Sequence, residues 1–340
     1  MQKTDQKQSR TAYLDLIRFV AIAAVILLHV VSGTRSQYTD QMTGLQNTVY
    51  TAIERCCAIG VPLFLMISGA LFLDENKKIP LRVLFGKYIR RLVLALLLFG
   101  WAYSLMEIVF NARTVKPVFA LQAIFGVLKG DTWSHLWYLY MIIGLYLFMP
   151  LWQAMAKSLT REQYRYVLVL LFMVGCVLPP FLNMGWRIGL EFPFNNIYVF
   201  FFLAGHYVHK YLKEDVRLKG AAVVLTVLLP ILTFADSLAG TGLTEGYNGI
   251  PATLAALSIF YLAGKSRQIP SWCTAWRTLA FGVYLIHPFF LNLLYKGLHL
   301  TPLMLGGYVL IPIFWIAAGA LSVLAVVILR KIPVLRKYVL

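Results

Sequence analysis

Residues 18–29 read RFVAIAAVILLH, an apolar run closed by an arginine at one end and a histidine at the other. Whether this run lies in lipid or in a water-soluble core decides the fold, and composition answers first. Of the 340 residues 60% are hydrophobic and 13% are charged, and the mean hydropathy is +0.72. Soluble domains carry about 25% charged residues, so the chain reads as an integral membrane protein whose first partners are membrane lipids. The formal net charge of +17 would also suit a nucleic-acid binder. The basic residues, however, fall in short clusters between long apolar runs, the pattern that orients spans in a bilayer, and nucleic acid is not an expected partner.

Apolar runs close to the ~20 residues that cross a bilayer as helix fall at 12–33, 48–73, 88–110, 134–155, 165–183, 195–212, 219–237, 248–264, 277–297 and 305–330. Polar connectors such as DENKKIPLR (74–82) and KYLKEDVRLKG (210–220) separate them. The runs are apolar on all sides, which excludes a β-barrel, where lipid-facing and lumen-facing residues alternate. The expected fold is an all-α polytopic membrane protein with about ten transmembrane helices in a single domain over 1–340. With the N-terminus inside, 23 of the 31 Lys and Arg lie in inner segments, while Arg35, Arg113, Lys116, Lys129, Arg187 and Lys296 lie outside and Arg18 and Arg55 lie within spans. That asymmetry predicts cytoplasmic N- and C-termini, with residues 80 and 215 inside and residues 40 and 242 outside.

The first run is too long for a secretory signal, lacks an A-x-A type cleavage site and carries Arg18, so it is expected to stay as an uncleaved span. Cys56, Cys57, Cys176 and Cys273 form no C-x-x-C pair, and neither a disulfide framework nor a thiolate metal site is indicated. No internal repeat is visible, which weakens an inverted-repeat transporter reading.

Eleven residues separate Arg18 from His29, about three helical turns, which sets them within roughly 20° on one face and about 16 Å apart along the axis. Asp15 precedes Arg18 by one turn and is placed to pair with it. A polar stripe of this kind has to face protein or a cavity, since ionisable groups turned to lipid cost several kcal/mol. Taken alone, the stripe has an ordinary explanation in a snorkelling Arg18 with Asp15 as its partner, but other spans carry polar groups too. Glu54-Arg55 opens the second span and reads first as a structural ion pair between helices, while Ser68-Gly69 allows close helix approach. WSHLWYLYMIIG (133–144) sets His135 and Trp137 among aromatics that an interfacial belt would also explain. FGVYLIHPFFL (281–291) holds His287 near mid-membrane, beside a proline that frees a backbone carbonyl.

Together, the Arg-x10-His element, VPLFLMISGALFL (61–73), KYIRRL (87–92), HLWYLY (135–140), FFLAG (201–205) and FGVYLIHPFF (281–290), in this order over most of the chain, resemble acyltransferase family 3. Its members are integral membrane O-acyltransferases that modify cell-surface glycans. The resemblance implies an enzyme of the cytoplasmic membrane that moves an acyl group, acetyl by default, from acyl-CoA to a hydroxyl of an envelope polysaccharide or a lipid-linked sugar, with no metal. Arg18 would engage a phosphate or amide of the acetyl-CoA donor. His29 would take the proton of the acceptor hydroxyl, a role suited to an imidazole with an unperturbed pKa of about 6.5. Arg55, Ser68, His135 or Trp137 would position the acceptor or the developing oxyanion, with Asp15 and His287 as further donor- or acceptor-binding candidates. The family's appended esterase-like domain is not found in the 340 residues.

The alternative of a different class is a transporter that exports a nascent or lipid-linked polysaccharide along the same stripe, which would need no acyl-CoA. A haem carried by His29 and His287 is disfavoured because the two histidines are expected at different depths. His206 and His209 are expected as interfacial residues and not as metal ligands.

Overall fold

The computed structural model describes residues 2–340 apart from 188, 191, 193–195, 242, 243, 245 and 267, with side chains from residue 12 onward. The expected position of residue 242 and the inner-side Arg267 therefore lie outside the described residues.

The described residues form helices and no strands. In chain order these are α1 (Gln2–Tyr38), α2 (Gly44–Cys57), α3 (Gly60–Phe72), α4 (Leu81–Ala112), α5 (Val118–Lys129), α6 (Ser134–Leu147), α7 (Met149–Ser158), α8 (Arg161–Asn183), α9 (Ile197–Tyr207, continued by a π turn to Leu212), α10 (Lys219–Ala239), α11 (Ile250–Gly264), α12 (Ser271–Gly297), α13 (Leu310–Leu329) and α14 (Pro333–Tyr338). Local sequence accounts for several boundaries. Thr43 and Thr160 each begin a helix with a reciprocal capping box, closed by Gln46 and Gln163. Pro150 follows the 58° bend between α6 and α7, where its missing N–H is least costly.

Among the described residues, seven helices are long and apolar enough to cross a membrane, counting α2 and α3 as one span, and eight with the bent α6–α7 pair. Each of the ten runs expected from sequence contains helix among its described residues, but α9 with its π turn and α11 fall short of that length. The reason for α9 is position: every residue from Val199 to Tyr207 is buried by protein, so its length need not match a lipid layer. At the perimeter the polarity is that of a membrane protein. Helix α10 turns Val224, Val227, Ile231 and Leu232 outward, while the interior holds Ile17, Ile22, Leu63, Phe201 and Phe202.

The centre of the bundle is a crossing of α3 and α9 made possible by two glycines. A Cβ on Gly69 would lie 1.7 Å from the carbonyl oxygen of Phe202, and one on Gly205 would lie 2.1 Å from that of Met66. The two backbones touch, as small residues permit in membrane helices. The SG and AG dipeptides of two motifs are thereby explained as packing. Long-range contacts sort the helix ends into two groups. At one end the beginning of α1 meets the end of α9 through Tyr13 and His209, Lys210 pairs with Glu75, and Arg91 donates to the carbonyl of Leu340. At the other, Glu107 of α4 pairs with Lys296 of α12, and Gln46 reaches Gly306.

Candidate active site

Helix α1 carries polar groups toward both ends of the bundle. In its first half, Asp15 is fully buried and accepts from two arginines. Arg18 bonds it one turn along the same helix, and Arg277 of α12 donates through Nη2 at 2.6 Å and Nε at 3.4 Å. Phe19 packs edge-on against Trp272 and tilted against Trp276, with ring centroids 4.9 and 5.1 Å away. Sequence reasoning found Asp15 and Arg18 but counted Arg277 only as an orienting charge. The local signal, an arginine just after Trp272 and Trp276, shows no partner until α12 folds against α1.

In its second half, α1 brings His29 to His287 of α12 and His135 of α6. The ring centroids are 4.9 Å apart for His29 and His287, 5.9 Å for His135 and His287, and 6.4 Å for His29 and His135. His29 and His287 therefore share one depth, contrary to the expectation from sequence, because the buried α12 runs beside α1 and sets them level. Their nearest nitrogens are 3.3 Å apart. A haem plane has no room between rings in that contact, so the haem reading fails on geometry and not on depth.

The tautomers follow from the partners, since a carbonyl only accepts. His287 Nδ1 lies 2.8 Å from the carbonyl oxygen of Tyr284 and 3.1 Å from that of Val283, so Nδ1 bears the hydrogen and Nε2 the lone pair. The Tyr284 carbonyl is the one that Pro288, lacking an N–H, leaves unmatched in the helix. The proline thus fixes its neighbour's ring. His29 Nδ1 lies 2.8 Å from the Val25 carbonyl oxygen and must carry hydrogen too, shared with the His287 Nε2 lone pair. The remaining nitrogen of His29, Nε2, is the basic one. His135 is buried, and among the described residues its Nε2 has no hydrogen-bond partner. The backbone around it is pinned by Tyr284, whose hydroxyl donates to the His135 carbonyl at 2.5 Å.

His29 and His135 stand between two cavities. One is a polar cavity of about 490 Å³ whose lining includes Ser32, Ser36, Glu107, Asn292 and Lys296. This size lies in the range of small-molecule sites. The other is a crevice of about 20 Å³ among aromatic side chains that include Trp137, Tyr138 and Tyr247, room for about one water.

The remaining candidates are placed as follows. Trp137 lines the crevice. Ser68 accepts from the Tyr146 hydroxyl at 3.2 Å. Arg55 bonds Asp236 of α10 at 2.9 Å, with Thr244 and Ser237 at 3.4 and 3.5 Å, and does not line either cavity. Its neighbour Glu54 pairs with Arg35 of α1. The adjacent charges thus tie helices together by reaching in different directions, not by pairing with each other. His206 bonds Tyr164 and His209 bonds Tyr13. Sequence reasoning did not single out Glu107, Asn292 or Lys296, which reach the site only through the meeting of α4 with α12.

A bundle with lipid-facing apolar helices, a buried imidazole cluster and a cavity beside it defines a multi-pass membrane protein with a polar interior site suited to proton transfer. The acyltransferase 3 family model, described as an acyltransferase domain, matches residues 11–331, and the chain belongs to that family: it is a membrane acyltransferase. No curated protein and no solved structure matches the chain.

Proposed function

We propose that the protein is an O-acyltransferase of the cytoplasmic membrane that moves an acyl group, acetyl by default, from cytoplasmic acyl-CoA to a hydroxyl of a cell-surface glycan. The observation that carries this reading is the fixed tautomer of His29, which leaves Nε2 as a base on a ring that borders the 490 Å³ polar cavity within a chain of acyltransferase family. The acceptor sugar occupies that cavity. His29 Nε2 takes the hydroxyl proton as the oxygen attacks the thioester carbonyl. The tetrahedral intermediate then collapses, the C–S bond breaks, and the leaving CoA sulfur recovers the proton from His29. As His29 becomes an imidazolium, its Nδ1–H bonds to Val25 and His287 strengthen, because charge-assisted bonds are the stronger kind. His135 Nε2, without a partner among the described residues, is available to the acceptor hydroxyl or the oxyanion.

The donor enters from the end where Arg18 and Arg277 share Asp15, and the guanidinium groups meet its phosphates or amides. In this reading the chain crosses the membrane ten times with both termini cytoplasmic. The charge asymmetry and the sorting of helix ends into two groups support that arrangement.

The test compares cell-surface glycans from cells with and without the protein for O-acyl esters. Loss of an ester on deletion, together with acetyl-CoA binding by the purified protein, is the expected result. An unchanged ester content with loss of glycan export and no acyl-CoA binding overturns it in favour of an exporter.

A further inference from the structure

Each helix that carries a histidine of the cluster sorts its neighbours to opposite sides. On α1, Val25 and Leu28 line the small crevice and Ser32, Gly33 and Ser36 line the polar cavity, with His29 touching both. On α12, Tyr284 lines the crevice and Asn292 and Lys296 line the cavity. On α6 the order is reversed: Ser134 lines the cavity, and Trp137 and Tyr138, which follow His135, line the crevice. Arg18 precedes Val25 on α1, and Arg277 precedes Tyr284 on α12. The crevice therefore lies on the side of the histidines that faces the arginines, and the polar cavity lies on the other.

The crevice is small and its walls are braced. Its volume of about 20 Å³ has room for about one water, which is also the size of one methyl group. Helix α3 supplies Val61 and Phe64 as walls. Gly60 lets α3 come this close to α1, since a Cβ there would lie 2.6 Å from Val25 Cγ2. Tyr138 packs against Tyr284 and Phe64, with ring centroids 5.5 and 6.4 Å away, and Trp137 against Tyr247 and Tyr198 at 5.4 and 5.5 Å. Rings packed against one another in this way cannot draw back to admit a longer group without disturbing the interior behind them. The lining is mostly apolar, so it offers a water few polar partners and offers a methyl group contact on several sides.

Resting on the proposed transfer reaction, we infer that this crevice is the compartment for the acyl group of the donor, and that Val61 sets the length it admits. The thioester carbonyl lies at His29, the methyl group of a two-carbon donor fills the crevice, and each further methylene meets α3 or the aromatic wall. Val61 is buried and stands outside the stacked rings, so its size can be changed in either direction while they stay in place.

The test is calorimetric binding to the full-length protein in lipid nanodiscs. The probes are carbadethia analogues of acetyl-, propionyl- and butyryl-CoA, in which a methylene replaces the sulfur so that no transfer can occur. The propionyl analogue is expected to bind about tenfold more weakly than the acetyl analogue, the lower end of what one methylene is worth in a hydrophobic pocket, and the butyryl analogue more weakly still. Val61→Ala should remove most of the difference between acetyl and propionyl. Val61→Ile should weaken the acetyl analogue by about tenfold, the effect of overfilling a packed site. Both variants should bind CoA itself, which has no acyl group, as the wild type does. Val199→Ala, an equal deletion at a buried position of α9 that lines neither cavity, should leave the order of the analogues unchanged. Equal binding of the three analogues by the wild type, or a preference that Val61→Ala leaves in place, would overturn the acyl compartment while the donor reading stands. Failure of CoA and of every analogue to bind would overturn the donor reading and the compartment with it.

Discussion

The two halves of helix α1 carry polar groups into the same membrane interior by opposite means. At Asp15 a carboxyl group and two guanidinium groups satisfy one another: one buried carboxyl group holds Arg18 and Arg277, the latter 44% exposed. At His29 the groups are neutral imidazoles oriented by backbone carbonyls, and two of the three border a cavity. A buried charge is tolerable only when paired, and that pairing holds the first site rigid. An imidazole can be buried neutral, with one nitrogen donating a hydrogen bond and the other holding a lone pair that accepts a proton. In the proposed reaction the first site meets the anionic groups of the donor and the second moves the proton.

The sharpest break in this contrast is His29 itself. His29→Ala should insert normally yet lose acyl transfer by about 10²–10⁴-fold, the usual contribution of a positioned general base. His29→Gln should lose it as well, since an amide cannot take the proton. The measurement is glycan O-acylation at matched membrane levels of each variant, and near-normal acylation by His29→Gln would move the base to His135 or His287.

At the charged end the expected loss is one of folding. Asp15→Ala leaves two arginines without their shared carboxylate and should cost about 3–5 kcal/mol, the effect of removing one partner of a buried ion pair. Thermal unfolding in detergent reads this. An unchanged midpoint would mean that lipid headgroups or water replace the carboxylate, and that the site is looser than its burial implies.

Replacing one arginine tests binding in place of folding. Arg18→Ala should weaken acetyl-CoA binding by ~1.5–3 kcal/mol, the value of a hydrogen bond to a charged group, with Arg18→Lys restoring only part because an ammonium lacks the planar fork. Calorimetric titration with acetyl-CoA checks both variants. Equal affinity for wild type and Arg18→Ala would reduce the residue to an anchor for Asp15.

The smallest effect is expected at His287, which acts through His29. His287→Phe removes the acceptor for one branch of the His29 Nδ1–H bond while Val25 keeps the other. Transfer should fall by about fivefold, corresponding to ~1 kcal/mol for one hydrogen bond, with acetyl-CoA affinity unchanged. His287→Gln, whose amide oxygen can accept that bond, should recover part of the rate. A collapse as large as that of His29→Ala would give His287 a direct part in the chemistry.

Periodicity and composition alone determined that α1 is a membrane helix, that Asp15, Arg18 and His29 share one of its faces, and that Asp15 lies one turn from Arg18, because these are properties of a single helix with 3.6 residues per turn. The same local logic gave the close approach at Ser68-Gly69 and the freed carbonyl before Pro288. Which partners those features meet was decided only by the tertiary structure. Arg277 on Asp15, His135 and His287 at His29, Asp236 on Arg55, and the cavity shared by Glu107 and Lys296 all join residues far apart in the chain. Depth was misjudged for His287, since hydropathy locates a span but not its vertical offset against a neighbour, and that offset is set by packing. Helix α9 shows the same limit, because its hydropathy marks it as apolar while only its enclosure by protein explains why it is shorter than a lipid-facing span.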